Sequence, residues 1–219
     1  MRMCACRGTA GFAHVSCLSE QAEILVAEVE ENNLGNKTFN ERWSRWEACS
    51  LCEQRYHGVV RCALGWACWK TYVGRPENDP IRLYAMTQLG NGLSMACQHQ
   101  TALSVREAEL SILRRLGLPT AHVLGVQGNL ANSYEAVGRL ESALQMKRDV
   151  YSGLSELYGE EREDTLRAAN NYAFSLRDLS RFEEARSLLR RTVPVARRIL
   201  GDGHILTLKM RKNYAKALY

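Results

Sequence analysis

NLANSYEAVGRLESAL, residues 129–144, lines up position for position with NYAFSLRDLSRFEEAR, residues 171–186, and the pattern opens again as NYAKALY at residue 213. Asn129, Asn171 and Asn213 are therefore spaced by 42 residues each, and a looser copy, NGLSMACQHQTALSVREAE, begins at Asn91. A fixed period of this size marks stacked helix pairs, each too small to bury its apolar face alone. The first helix of each pair carries small residues, Ala131 and Ser133 or Ala173 and Ser175, which admit a neighbouring helix at close range. A short turn, VGRLE or LSRFE, leads to a second helix that opens on Glu141, or on Glu183 and Glu184. Paired arginines, Arg190 with Arg191 and Arg197 with Arg198, close the later copy, the polarity that the helix dipole favours. Gly159 and Gly201 then stop the second helices, because glycine takes a left-handed cap at little cost.

Outside the repeats the composition changes. Seven of the eight cysteines and all four tryptophans of this 219-residue chain precede residue 70. The net charge of +5 is modest and its Lys and Arg residues are interspersed with Asp and Glu, which argues against nucleic acid as a partner. The most apolar stretch, HGVVRCALGWACWKTYVG, is interrupted by Arg61 and Lys70 and is too short to span a membrane. With no apolar segment behind MRM, the expectation is a soluble, intracellular, cytoplasmic protein. Among catalytic motifs, no Gly-x-Gly-x-x-Gly string occurs, and the carboxylates Glu160, Glu161, Glu163 and Asp164 read as a solvated turn between repeats.

The N-terminal cysteines are ordered as Cys4-x-Cys6, His14-x2-Cys17 and Cys49-x2-Cys52. In a reducing compartment such pairs serve metal sites more often than disulfides, and two pairs brought together by folding complete a zinc tetrahedron. Zinc is accordingly the expected metal. Between the pairs, CLSEQAEILVAEVEENN has Leu18, Ala22, Ile24, Leu25 and Val29 at helical spacing, against which Trp43 and Trp46 are expected to pack. Cys62 and Cys97 read as core residues, although His57, Cys62 and Cys68 offer an alternative completion of a metal site. His99, His122 and His204 have no metal-spaced partner and read as surface residues. The domain organisation expected is residues 1–56 as the zinc module, incomplete at its N-terminus, 57–82 as a helical connector ending in a loop at Pro76 and Pro80, and 83–219 as the repeats, cut short at the C-terminus after NYAKALY.

Two resemblances follow from these motifs. NLANSY, the GRLESAL turn and LGDGHILTL at 200–208 resemble tetratricopeptide repeats of the kinesin-light-chain type, over residues 83 to 219. That likeness implies a right-handed superhelix whose first helices line a concave groove for extended peptides, with Asn91, Asn129, Asn171 and Asn213 as candidate contacts. A structural role for the same asparagines, between neighbouring repeats, is equally open. The cysteine order, with Gly8-Thr9 after Cys6, Leu18 after Cys17 and Tyr56 after Cys52, resembles the RING-CH zinc finger of ubiquitin ligases, without its opening Cys-x2-Cys pair. The cross-brace of that family implies one complete site at Cys4, Cys6, Cys49 and Cys52, and leaves His14 and Cys17 as half of a second, as in an N-terminally shortened chain. The fold class expected is mainly α, a small RING-CH-like module followed by an α-solenoid of helix pairs. The function implied is recruitment of a ubiquitin-conjugating enzyme to a partner held by the repeats, the alternative being a non-catalytic scaffold with a structural or degenerate finger.

Overall fold

Ten α-helices make up the regular structure of residues 13–218, the part of the chain that the computed structural model describes, and no β-strand occurs among these residues. They divide into two compact units, one up to Ile112 and the other from Leu113 on.

The first unit begins with α1, Val15–Glu31, whose buried face is Leu18, Ala22, Val26 and Val29. This stripe is rotated from the one expected: Ile24 is 52% exposed whereas Val26 is fully buried. The aromatic partners decide the facing. Ala22 and Val26 share a core with Trp43 and Trp46, which lie at the end of α2 (Asn36–Trp43) and in the short 3-10 turn Ser44–Trp46 that follows. Phe39 stacks on Trp43 at 5.6 Å and Trp46 meets Tyr72 edge-on at 6.0 Å. The expected packing of both tryptophans on α1 is therefore observed.

Helix α3, Gly58–Tyr72, is followed by a loop that contains Pro76. Pro80, expected in that loop, is instead the first residue of α4, Pro80–Met95, capped by Asp79, whose Oδ1 accepts from the N–H groups of Ile81 (2.7 Å) and Arg82 (3.3 Å). Proline suits this position because its missing N–H would have no partner in the first helical turn. Helices α3 and α4 pack backbone to backbone across two glycines. A Cβ on Gly65 would sit 2.9 Å from the carbonyl oxygen of Gln88, and one on Gly92 would sit 2.7 Å from that of Arg61. Beside this crossing the buried Arg61 guanidinium donates to the Trp46 carbonyl (3.1 Å), to Glu47 Oε2 (3.2 Å) and to Gln88 Oε1, tying the 3-10 turn to both helices. Helix α5, His99–Arg115, adds the buried pair Arg106 and Glu109, the latter accepting from Thr87 Oγ1 on α4.

The second unit contains the pairs α6 (Thr120–Ala136) with α7 (Leu140–Tyr158), α8 (Glu163–Asp178) with α9 (Phe182–Leu200), and then α10 (Ile205–Lys216). Each first helix presents the expected small residues to the core: Ala131, Ser133, Ala173 and Ser175 are all buried, and Ala185 of α9 joins Ala173 in one apolar cluster. Gly159 and Gly201 end α7 and α9 with φ of 80° and 90°, as the sequence predicts. The arginines of α9 do more than cap their own helix. Arg191 donates to Tyr151 Oη at 3.1 Å, and Arg198 donates to Glu161 at 2.6 Å, so α9 is clipped to α7 and to the loop that precedes α8.

Because the obstacle at Gly92 is backbone, which cannot swing aside, Gly92→Ala is expected to destabilise the first unit by about 2–3 kcal/mol, read as a lower urea midpoint with an unchanged slope.

Candidate functional site

Gly125, Gly128, Asn129 and Asn132 of α6 face Asp164, Arg167 and Asn171 of α8 across a cleft of about 390 Å³, floored by Lys147, Val150 and Leu154 of α7. The depth of this cleft originates in the two glycines. A Cβ at either would meet nothing within 4 Å, and their counterparts 42 residues on are the bulkier Arg167 and Asn170. Glycine inside an exposed helix costs about 0.5–1 kcal/mol relative to alanine, so α6 is weaker for carrying them.

The same substitution determines what the asparagines can do. In the last copy Asn213 is occupied: its Nδ2 donates to Asn170 Oδ1 (2.9 Å) and its Oδ1 accepts from Arg177 (2.8 Å). One copy earlier, the residue that would bond Asn171 is Gly128, which has no side chain. The Asn171 amide is consequently exposed at the cleft, and among the described residues neither it nor the Asn129 amide has an intramolecular side-chain partner. Asn91, in the first unit, accepts from Arg106 at 2.6 Å. Of the four asparagines singled out by the period, Asn129 and Asn171 thus share one cleft, whereas Asn91 and Asn213 are engaged in bonds within their own units.

Lys147 and Glu135, not singled out in the sequence, form the charged part of this site. The buried Lys147 Nζ lies 2.6 Å from Glu135 Oε2, and Glu135 also accepts from Ser175 Oγ on α8. Burial lowers the pKa of Lys147 from its ordinary value, and the pairing with Glu135 offsets only part of that effect. The signal available in sequence was a lysine at the position where the next copy has Leu189, on the apolar face of a helix.

For the cysteine pairs, Cys4 and Cys6 lie outside the described residues. His14 precedes α1 and Cys17 lies in its first turn, both exposed. Cys49 and Cys52 occupy a tight turn closed by an antiparallel bridge between Ala48 and Arg55. Within it the Leu51 N–H donates to Cys49 Sγ at 3.4 Å, and Glu53 takes a left-handed conformation with φ of 58°. A backbone N–H directed at sulfur favours the thiolate form that metals bind. Ala13 and Val15 pack into the same apolar cluster as Cys49 and Cys52. Among the described residues no three potential ligands converge. Cys62 and Cys68 are buried in separate clusters, the first with Leu89 and Leu93, the second with the tryptophans, and burial raises both thiol pKa values. They do not form a substitute site with His57. Cys97, expected in the core, is exposed at the end of α4 with φ of 59°.

Residues 119–187 and 164–219 match the tetratricopeptide repeat family. No curated protein matches the chain significantly. Among solved structures, BtubC (BKLC) from P. vanneervenii superposes with a TM-score of 0.62 at 19% identity, over 73% of this chain and 65% of that one. A kinesin-light-chain-type protein of Podosopora anserina with nearly identical TPR-like repeats gives a TM-score of 0.59 at 20% identity, over 94% of this chain and 87% of its own. A single-substitution variant of that protein gives 0.61, again at 20% identity and the same coverage. The chain therefore spans a little under two thirds of BtubC. At these identities the likeness is one of fold, a stack of TPR-like helix pairs.

The depressed pKa of Lys147 carries a pH signature. Between that lowered value and the ordinary 10.5, the unfolded chain holds a proton that the folded chain has released, so this group makes stability rise with pH. In Lys147→Met that contribution disappears, and the difference in unfolding free energy between the two proteins is expected to change across this alkaline window and to be flat below it.

Proposed function

We propose that this chain is a protein-binding adaptor whose cleft between α6, α7 and α8 holds an extended peptide segment of a partner. The observation that carries this reading is the pair of amides on Asn129 and Asn171, one period apart, unpaired and directed to a cleft that two glycines keep open. An asparagine amide has both donor and acceptor and can bond a peptide backbone whatever its side chains, which suits a groove that selects by shape and charge. Asp164 and Arg167 on α8, with the Glu135-paired Lys147 in the floor, supply that charge.

To this the cysteine pairs add a second element, a zinc-organised N-terminal module. Cys4, Cys6, Cys49 and Cys52 are the residues that would hold zinc, with His14 and Cys17 as part of a further site. When bound, the metal would supply fold stability and no chemistry of its own, since every ligand comes from protein. The turn around Cys49, with its N–H directed at sulfur, supports this reading. Leu51 and Val59, exposed next to this turn and at the start of α3, supply apolar area for a second protein. In the finer form of the proposal that protein is a ubiquitin-conjugating enzyme, and the module acts by positioning its thioester-linked ubiquitin near the partner in the repeats. Loss of Leu51 surface, as in Leu51→Asp, then abolishes autoubiquitination without releasing zinc. The coarser reading, a scaffold, is preferred if the zinc-loaded protein is inactive with a panel of conjugating enzymes.

Peptides selected from a random 12-residue display library on the full chain are expected to lose about tenfold in affinity with Asn129→Ala plus Asn171→Ala, while the thermal melt is unchanged. Gly128→Asn, which gives Asn171 an internal partner, should lower affinity in the same direction. Selected peptides that bind all three proteins equally would exclude the cleft. Elemental analysis of the purified chain is expected to give at least one zinc per polypeptide and fewer in Cys49→Ser; a folded chain without zinc would remove the second element and leave the first intact.

A further inference from the structure

The turns that lead into α7 and α9 share one backbone and differ by one charge. Arg139 and Arg181, which open them, have φ and ψ of −82° and 63° against −85° and 59°. Each arginine N–H donates at 2.8 Å to the carbonyl five residues back, and each arginine carbonyl accepts from the N–H four residues on, at 3.1 and 3.2 Å. In the α9 turn Arg181 makes a two-pronged bond to Glu184, Nε to Oε1 at 2.6 Å and Nη2 to Oε2 at 2.8 Å, which holds the Glu184 carboxyl below its ordinary pKa. In the α7 turn the place of Glu184 is taken by Ser142. Arg139 lies instead over the Tyr134 ring, 5.8 Å from its centroid. Among the described residues it has no carboxylate partner, and the exposed Ser142 hydroxyl has no hydrogen bond.

A phosphate on Ser142 supplies the missing anion. Phosphoserine has as many bonds between Cβ and its terminal oxygens as glutamate has, so on this shared backbone its oxygens reach the place that the Glu184 carboxylate occupies. It carries about one and a half to two negative charges at neutral pH, and arginine binds phosphate with the same two-pronged geometry. Arg139 also stands three residues ahead of the hydroxyl, where a kinase with an acidic substrate groove reads a cation. Among the described residues the other hydroxyls with an arginine at that spacing are Thr165 and Ser180. Thr165 is buried and donates to the Leu154 carbonyl, and Arg177, ahead of Ser180, is committed to Asn213 and Asp178. Ser142 alone of the three joins an exposed hydroxyl to an uncommitted arginine.

We propose that Ser142 is a phosphorylation site for an arginine-directed protein kinase, its phosphate held by Arg139 as Glu184 is held by Arg181. The γ-phosphoryl group of a nucleoside triphosphate passes to Ser142 Oγ: the bond from phosphorus to the β,γ-bridging oxygen breaks, the new P–O bond forms, the hydroxyl proton goes to the kinase's base, and nucleoside diphosphate leaves. Access requires opening of the first turn of α7, and helix ends open at low cost. The product clips the α6–α7 turn, and so braces the pair whose first helix carries Gly125 and Gly128.

The test incubates the full chain with an arginine-directed serine kinase and Mg-ATP, with mass spectrometry to locate the phosphate. Ser142 is expected to be the main site, and Arg139→Gln to slow its modification about tenfold. Modification of a synthetic peptide of residues 136–146 but not of the folded chain overturns the proposal, as does phosphate only at Thr165 or Ser180, or an unchanged rate in Arg139→Gln. Retention of the anion is read separately by thermal melts. Ser142→Glu is expected to raise the midpoint by about 1–3 °C, and the same change in an Arg139→Gln background to give less than half of that gain. An equal gain in both backgrounds, or none in either, removes Arg139 as the group that holds the phosphate.

Discussion

Close approach of helix backbones is the constraint on which the structure depends. Helices pack at the short end of their usual separation only where the crossing residue has little or no side chain, and such residues occur in both units. In the first unit Gly65 and Gly92 let α3 and α4 touch carbonyl to backbone, and the Arg61 network is then within reach of three segments at once. In the second, Ala131, Ala143, Ala173 and Ala185 are fully buried and do the same for the repeats. With the crossings fixed, the register of every other side chain follows, including the cleft asparagines, which lie a fixed number of turns from Ala131 and Ala173.

Charged groups are placed at several of these seams. Arg61 with Glu47 and Gln88, and Lys147 with Glu135, are partly or wholly buried and reach between segments, while the buried Arg106 and Glu109, neighbours on α5, each bond across to α4 through Asn91 and Thr87. Burial raises the pKa of Glu109 and lowers that of Lys147, so desolvation outweighs pairing in both. Such pairs add little net stability compared with apolar residues of the same size, but breaking one leaves a charge uncompensated. Their effect is to make any other register costly.

How much of this was legible in the sequence depended on whether the information was local. The glycine stops and the small seam residues are read from one helix and its end, and the structure has them where the pattern predicts. The orientation of α1 was not local: Trp43 and Trp46 select Val26 over Ile24, a choice made by residues about twenty positions away. Pro80 is ambiguous in sequence because a proline is equally at home in a loop and at a helix start; Asp79 before it is the distinguishing sign. The openness of the cleft was written in the sequence, but only as a difference between copies, glycine at 128 against asparagine at 170. A search for what repeats passes over what fails to repeat. For the cysteines, the sequence gives spacing and order, and the described residues add the hydrogen-bonded turn at Cys49.

The way α10 is held has a consequence for the order in which the second unit comes apart. Stacked pairs contact their neighbours and little else, so stability in such arrays is a chain of nearest-neighbour terms and opening proceeds from the side with fewest of them. Helix α10 rests on α8 and α9, tied to the preceding pair by Asn213 and by Thr207, whose hydroxyl donates to the Ala196 carbonyl. Through these ties α8 meets α10 as well as α7 and α9, so exchange of its amides requires an opening that parts three seams at once, and a ligand held between any two of these helices slows it.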